Sequence, residues 1–310
     1  MGTAVKLAAY AAAVLLLAVG AFALGSALGP AVVPAADAPP PAHAGGEAGS
    51  HPGSPAARPA GRAADAAPPA GLASSAKGYT LALLTPTLPA AAPAGLAFRI
   101  TGPDGAAVTR FDLAHDRRMH LILVRTDTAG FQHLHPEMDP DGTWRTPVTL
   151  LAGGTYRAFA DFVPEGGAPV TLGVLLSAPG PFAPIAPAPS RVATVDGYEV
   201  HLDGELTPGG EAPLTLTVMR EGRPVTDLQP YLGSYGHLVA LRAGDLAYLH
   251  VHPDGAPTPG PEIRFVAEVP SADTYRLFLD FAHAGTVRTA EFTVPTTGSA
   301  TAHVDDGHGH

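Results

Sequence analysis

The sequence predicts an all-β protein built from two tandem immunoglobulin-like β-sandwich domains. Three observations lead to this prediction. Short apolar runs alternate with turn residues, no helical period occurs beyond residue 77, and the same order of runs occurs twice. A chain of 310 residues is long enough for two domains that each bury a core.

The first repeat is predicted to contain about seven short strands. Their predicted ranges are 79–84, 96–101, 120–125, 131–135, 144–150, 156–162 and 171–177. Turn sequences such as PDG at 103–105 separate the strands. About seven strands in about 100 residues are typical of an immunoglobulin-like sandwich.

The second repeat follows the first segment by segment. HLILVR at 120–125 corresponds to HLVALR at 237–242, and TYRAFADF at 155–162 corresponds to TYRLFLDF at 274–281. A Pro-rich joint separates the two copies. The predicted ranges are 78–177 for repeat 1, 178–196 for the joint, 197–295 for repeat 2 and 296–310 for a disordered, His-rich tail.

The N-terminal region predicts a protein that is held at a membrane. After Lys6, residues 7–29 are apolar and long enough to cross a bilayer as a helix, so 1–29 is predicted to be a transmembrane signal-anchor. The sequence AFA at 21–23 leaves cleavage as a signal peptide open. Residues 30–77 are rich in Ala, Pro and Gly and predict a disordered stalk. The expected location is the cell membrane, crossed once, with the C-terminal domains extracytoplasmic.

Composition excludes several classes of function. Lys and Arg total 18 against 28 Asp and Glu, and a net charge of −10 without a basic stripe argues against nucleic-acid binding. The chain has no cysteine, which excludes disulfides, thiolate metal sites and cysteine nucleophiles. No nucleophile elbow, phosphate-binding glycine loop or glycosidase-like pair of carboxylates occurs, so no specific catalytic reaction is indicated.

Six of the 14 histidines form two sets with the same spacing. In each set the second histidine is thirteen positions after the first, and the third is two positions after the second. The first set is His120, His133 and His135, and the second set is His237, His250 and His252. Histidines at i and i+2 on a strand share a face, and the remaining histidine lies on the preceding strand.

The register of the hairpin decides whether each set converges. An even number of loop residues places His120 directly opposite His133, and His237 directly opposite His250, with all members of a set on one face. A slip of one residue would move the first histidine to the other face. Neither loop contains an Asn-Gly or Asp-Gly turn that would fix the register.

Three neutral imidazoles with an open position suit Cu²⁺ or Zn²⁺. The arrangement is similar in local geometry to the zinc site of carbonic anhydrase. Cu⁺ would prefer sulfur, but Met119 and Met138 flank only the first set. The leading hypothesis is therefore a metal-binding protein of the cell envelope, with one divalent ion in each repeat for buffering, delivery or sensing.

Two other classes of function remain open. The histidines can instead be structural residues at one end of each sandwich, in which case the protein is a cell-surface module that binds a protein or a glycan. A metallohydrolase-like enzyme ranks last because no general base is identifiable. The tail histidines, His303, His308 and His310, are typical of a weak metal collector.

Asp161 and Asp280 are the other candidate site residues. Each lies in an otherwise apolar strand, where an unpaired carboxylate would be costly. One interpretation makes them a fourth metal ligand or an acceptor for an imidazole N–H. The alternative is a salt bridge to Arg125 or Arg242 on a neighbouring strand.

The pairing of HLILVRTDTAGFQHLHPEM with HLVALRAGDLAYLHVHP, followed by DTYRLFLDF, resembles an uncharacterised family of membrane-anchored, secreted bacterial proteins from high-GC lineages. The resemblance covers the chain from the anchor to about residue 295. It implies tandem His-x-His β-sandwich domains, and some relatives carry a heavy-metal-associated label. A looser resemblance links the chain to periplasmic β-sandwich copper carriers, although their Met-rich signature is missing here.

Overall fold

The computed structural model describes residues 69–297, and all regular structure in this range is β. The all-β fold class predicted from the sequence is therefore confirmed. No helix in this range is long and apolar enough to cross a membrane. The predicted signal-anchor at 1–29, residues 30–68 of the predicted stalk and residues 298–310 of the predicted tail lie outside the described residues.

Repeat 1 forms two antiparallel sheets. Its strands are β1 (Ser75–Ala76), β2 (Tyr79–Leu83), β3 (Pro93–Thr101), β4 (Phe111–Asp112), β5 (His120–Arg125), β6 (Gln132–Leu134), β7 (Glu137–Met138), β8 (Thr143–Thr149), β9 (Gly154–Pro164) and β10 (Val170–Ala178). One sheet has the order β1-β2-β3-β8-β7, and the other has the order β10-β9-β5-β6 with β4 paired to β9.

Repeat 2 has the same plan apart from some of its short strands. Its strands are β11 (Val192–Val195), β12 (Tyr198–Asp203), β13 (Gly210–Arg220), β14 (Arg223–Pro224), β15 (His237–Arg242), β16 (Val251–Pro253), β17 (Glu262–Val269), β18 (Thr274–His283) and β19 (Thr286–Pro295). One sheet has the order β11-β12-β13-β17-β16 with β14 paired to β13, and the other is β15-β18-β19. The strand that carries the His-x-His motif pairs with β5 in repeat 1, whereas β16 pairs with β17 in repeat 2.

The strand order is that of an immunoglobulin-like sandwich, in which an ABED sheet faces a CFG sheet. In repeat 2, β12-β13-β17-β16 takes the ABED order and β15-β18-β19 takes the CFG order. A tyrosine corner supports the assignment in both repeats. The Tyr156 hydroxyl donates a hydrogen bond to the Ala152 carbonyl at 2.9 Å, and the Tyr275 hydroxyl donates to the Ser271 carbonyl at 2.8 Å.

Each sandwich buries its own apolar core between its two sheets. Alternate residues of β8 and β17 are buried, as expected for strands with one face in a core. Phe98 and Trp144 are stacked in the core of repeat 1, and Tyr198 packs edge to face against Phe281 in the core of repeat 2. The strands are not exchanged between the copies, so each repeat is a complete sandwich.

A third apolar cluster joins the two repeats. Its buried members are Ile122, Val124, Phe159, Val239, Leu241, Leu246 and Phe278. Because β5 is packed on both faces, all six of its residues are buried, whereas an outer strand would alternate. We refer to this cluster, together with Phe131 and Tyr248 packed against it, as the junction.

The junction is formed by equivalent faces of the two repeats. Phe131 stacks on Phe278 with ring centroids 3.9 Å apart and an interplanar angle of 5°. Tyr248, the equivalent of Phe131, lies 5.6 Å from Phe159, the equivalent of Phe278. The same contact is therefore made twice, as in a two-fold symmetric dimer.

The chain that precedes repeat 1 also contacts the junction. Ala70 forms a β-bridge with Tyr248. Gly71 has a φ of +73°, and a Cβ atom there would lie 2.6 Å from the Phe159 ring, so the close approach requires glycine. Residues 69–77, which the sequence assigned to the stalk, therefore belong to the folded structure.

Candidate metal centre

The first histidine set lies at the end of the β5–β6 hairpin. His133 pairs with Ile122, so the register is two residues away from the predicted one, in which His133 faced His120. A shift of two residues preserves the face of every side chain. His120, His133 and His135 therefore still share one face of the sheet, and one ring nitrogen from each lies within 4.8 Å of the others.

Two of these imidazoles meet directly. His120 Nδ1 lies 3.0 Å from His133 Nε2. The Nε2–H of His120 donates to the Ala114 carbonyl at 2.9 Å, and the Nδ1–H of His133 donates to Asp280 Oδ2 at 2.6 Å. When both rings are neutral, these two donors leave a lone pair on each of the facing nitrogens.

His135 supplies a third nitrogen without a partner. Its Nε2 atom is buried and has no hydrogen bond with any of the residues that the structure describes. The centroid of its ring lies 5.1 Å from that of His120 and 4.8 Å from that of His133. A buried nitrogen with a free lone pair beside two others is what a metal site requires.

The environment keeps His120 and His135 neutral. Burial lowers the pKa of His120 to about 4 and the pKa of His135 to about 3, and the neighbouring imidazoles act in the same direction. Arg117 is the nearby cation that further lowers the pKa of both rings. Neutral imidazole is the form that binds a metal ion, so His120 and His135 need not lose a proton at neutral pH.

The two methionines beside this set do not join it. Met119 is buried in the apolar core of repeat 1, and Met138 packs against the same core. The donors that converge are therefore nitrogens only, which suits a divalent ion better than Cu⁺.

Repeat 2 contributes to the site of repeat 1 through Asp280 and His237. The Asp280 side chain is 3% exposed, accepts hydrogen bonds from His133 and from Thr289 Oγ1 at 2.6 Å, and so fixes the His133 tautomer. The ring of His237 lies 5.4 Å from that of His120 and 4.8 Å from that of His133. The sequence predicts His237 as a member of the second histidine set and Asp280 as a metal ligand or an acceptor for an imidazole N–H.

Asp161, the equivalent of Asp280, has a different role. Its carboxylate accepts a hydrogen bond from Thr171 Oγ1 at 2.8 Å, and burial raises its pKa. The alternative salt bridges are not formed by either aspartate. Arg125 pairs with Asp127 at 2.7 Å, and Arg242 pairs with Asp245 at 2.5 Å.

The second histidine set does not converge, which corrects the expectation of two equivalent triads. His237 lies in the first site, whereas His250 and His252 are exposed and their ring centroids are 5.8 Å apart. The reason is a change of strand partner. Leu249 N still donates to Ala240 O across the hairpin, but the next residue, His250, accepts from Glu268 N in the other sheet.

A proline in β8 distinguishes the two repeats at this point. His252 pairs with Val266 in repeat 2, and Pro147 occupies the position of Val266 in repeat 1. Since proline has no N–H, β8 cannot donate the corresponding ladder hydrogen bond to the His135 segment. The Thr149 carbonyl at this edge instead accepts from Gln132 Nε2 at 3.0 Å. The His-x-His strand of repeat 1 lies beside β5.

The family model described as Domain of unknown function (DUF8832) matches residues 74–178 and 193–298. These two stretches make up more than half of the chain. The chain belongs to this family. The two DUF8832 domains coincide with the two sandwiches, in agreement with the tandem family that the sequence resembles.

No curated protein matches the chain. Among solved structures, a DUF4426 family protein from Pseudomonas aeruginosa is 12% identical, with a TM-score of 0.26, and the match covers 35% of this chain and 100% of that one. The Escherichia coli adhesin FdeC is 13% identical, with a TM-score of 0.24 and coverage of 72% and 65%. The Ig1-2 module of the Drosophila receptor phosphatase DLAR is 6% identical, with a TM-score of 0.21 and coverage of 71% and 99%.

His115 is a further residue near the site that sequence reasoning missed. It is exposed in the loop before β5, with its ring 5.9 Å from that of His120 and 5.2 Å from that of His237. The second DUF8832 domain has Leu232 in the equivalent turn, and both residues have a positive φ. Because His115 lies outside the duplicated pattern, only the folded structure reveals that it is near.

Proposed function

We propose that the protein binds one divalent cation, Cu²⁺ or Zn²⁺, through His120, His133 and His135. The observation that carries the proposal is the contact between His120 Nδ1 and His133 Nε2 at 3.0 Å. Both rings have their other nitrogen committed as a donor, so two lone pairs face each other when the rings are neutral. A cation between them converts this repulsion into coordination.

The dimensions support a metal ion in this place. Two nitrogens bound to one tetrahedral Zn²⁺ at 2.0–2.1 Å are about 3.3 Å apart. The His120–His133 separation of 3.0 Å is close to this value, and His135 lies within 4.8 Å of both. The carboxylate of Asp280 behind His133 is the outer partner that metal-bound histidines usually have.

We also propose a role and a location for the protein. The protein would hold the ion for buffering, delivery or sensing in the cell envelope, outside the cytoplasm. The apolar run at 7–29 supports a signal-anchor. The expected result is that the chain fractionates with membranes and keeps its N-terminus, and a soluble form that begins at Leu24 or later would contradict the anchor.

The proposed site is tested by metal uptake of the full-length chain. His303, His308 and His310 are changed to alanine in every variant, so that the tail contributes no ligand. The protein is stripped with a chelator and titrated with Zn²⁺ or Cu²⁺ in a calorimeter. We expect about one tightly bound ion per chain, because only one histidine set converges among the described residues.

The duplicated motif offers a matched control. His133→Ala with His135→Ala should abolish tight binding, and His250→Ala with His252→Ala should preserve it, although both pairs remove a His-x-His motif. Thermal unfolding should shift upward on metal addition only in the proteins that bind, since an ion bound to the folded state stabilises it by about 2.7 kcal/mol at 100 times Kd. Absence of tight binding in the parent protein, or equal loss in both pairs, would favour an interaction module with structural histidines.

A further inference from the structure

The site of repeat 1 is bordered by a histidine from repeat 2. The His237 ring lies 4.8 Å from the His133 ring and 5.4 Å from the His120 ring. The corresponding separations for His135 are 4.8 Å and 5.1 Å. His237 is therefore about as near to the facing pair as His135 is.

Three histidines leave one coordination position of a tetrahedral ion to be filled. We propose that His237 fills this position, so that the ion takes three ligands from repeat 1 and the fourth from repeat 2. The inference rests on the proposed function, since it concerns the same ion. It assigns a ligand role to His237 that differs from its place in the second histidine set.

The position of His237 is fixed by the sheet of repeat 2. His237 is the first residue of β15 and pairs with Asp280 of β18, the residue whose carboxylate binds His133. Repeat 2 therefore presents a ligand and an orienting carboxylate from adjacent strands. Burial, followed by the nearby imidazoles, holds the pKa of His237 well below its ordinary value, so the ring is neutral at pH 7.

Metal binding requires one local change. The rings of His237 and His120 are parallel, with an interplanar angle of 6°, so a nitrogen of His237 reaches the ion only after the ring turns. The backbone need not move far, because the junction already holds the two repeats together. Phe131, two residues before His133, stacks on Phe278, two residues before Asp280.

This arrangement makes the ion a bridge between the two repeats. The affinity for metal then depends on the docking of repeat 2, and the bound ion stabilises that docking by the same coupling free energy. An ion held by the histidines of repeat 1 alone would depend on this docking only through Asp280, which orients His133.

The number of nitrogen ligands tests the inference directly. The full-length chain, with the three tail histidines changed to alanine and all its histidines labelled with ¹⁵N, is loaded with one equivalent of Cu²⁺. Pulsed electron paramagnetic resonance then counts the coordinated imidazoles. We expect four coordinated imidazoles in the parent protein and three in His237→Ala. The metal affinity of His237→Ala should fall by at least about 100-fold, because removal of an outer hydrogen-bond partner alone costs up to this much.

His250→Ala is the matched control, because it removes another histidine of repeat 2 and should leave both the count and the affinity unchanged. Three imidazoles in the parent protein, together with unchanged affinity in His237→Ala, would overturn the inference and leave the proposed function intact. If His237→Ala fails to fold, the count in the parent protein decides alone. A parent protein that binds no Cu²⁺ would overturn the proposed function and this inference with it.

Discussion

The two His-x-His segments have the same spacing but lie in different sheets. In repeat 1, β6 pairs with β5, and His133 and His135 converge with His120. In repeat 2, β16 pairs with β17, and its histidines point to solvent. The comparison teaches that the strand partner, rather than the spacing of the motif, decides whether the histidines form a site.

The two repeats also differ in the His–Asp contacts that they make across the junction. Equivalent faces of the two repeats pack together, but only one of the two possible His–Asp contacts across them is a close hydrogen bond. Asp280 reaches His133, whereas Asp161 is bound by Thr171. The duplication therefore supplied two copies of each part, and the structure assembles a single site from both repeats.

The largest expected effect is on the stability of the metal-free chain in acid. His120 is 2% exposed and its pKa is about 4 in the folded state against 6.5 when unfolded, so the unfolded state binds more protons between these values. The free energy of unfolding should thus fall as the pH falls from 6.5 to 4, by about 3 kcal/mol for His120 alone. Chemical denaturation at a series of pH values measures this loss.

The comparison between repeats supplies the control for this pH dependence. His120→Gln should remove the part of the loss that His120 contributes, since glutamine does not titrate, and should leave the parts that come from His135 and His237. His252→Gln should leave it unchanged, because His252 is exposed in the folded state as well. A flat profile in the parent protein, or equal effects of the two substitutions, would contradict the assignment of the acid sensitivity to the site.

A smaller effect, on metal affinity, is expected from substitution of the two equivalent aspartates. Asp280→Asn keeps the size of the side chain but removes the charge that orients His133, and we expect metal affinity to fall by roughly 10–100-fold. Asp161→Asn should change the affinity by less than about threefold, since Asp161 makes its hydrogen bond to Thr171. Competition with a chelator of known affinity measures both.

The two variants show whether Asp280 orients His133 for metal binding or only contributes to the packing of repeat 2. Both aspartates accept a threonine hydroxyl, so a merely structural role would give similar losses of thermal stability and no selective loss of metal affinity. Equal affinities in the two variants would mean that the His133–Asp280 contact does not serve the metal site.

Much of the fold could be predicted from the sequence because its signals are local. The seven strands predicted for repeat 1 all occur, with ends that differ by up to three residues. Alternating apolar residues and turn sequences determine such strands without reference to distant parts of the chain. The short strands β1, β4 and β7 have no such pattern and were missed.

The site could be predicted only in part because its decisive contacts are not local. His120, His133 and His135 share a face whenever the hairpin loop has an even number of residues. The partner of β16 depends instead on a strand more than ten residues further along the chain. The approach of Asp280 and His237 depends on the docking of two domains, for which the sequence offered no signal beyond the apolar residues of β5.

The smallest expected effect concerns the proline that distinguishes the two repeats. Pro147→Val restores an N–H at the position that Val266 occupies in repeat 2, so the His135 segment gains an alternative partner in β8. Conformations in which this segment leaves β5 should become populated, and metal affinity should fall by a few-fold, in proportion to the population that is lost. Pro147→Ala also restores the N–H and should act in the same direction, whereas Pro93→Val, at the start of β3 in the same sheet, should have no effect. Chelator competition measures the metal affinity, and hydrogen exchange at Leu134 measures the opening of the strand. If neither changes, the strand partner is determined elsewhere in the sequence.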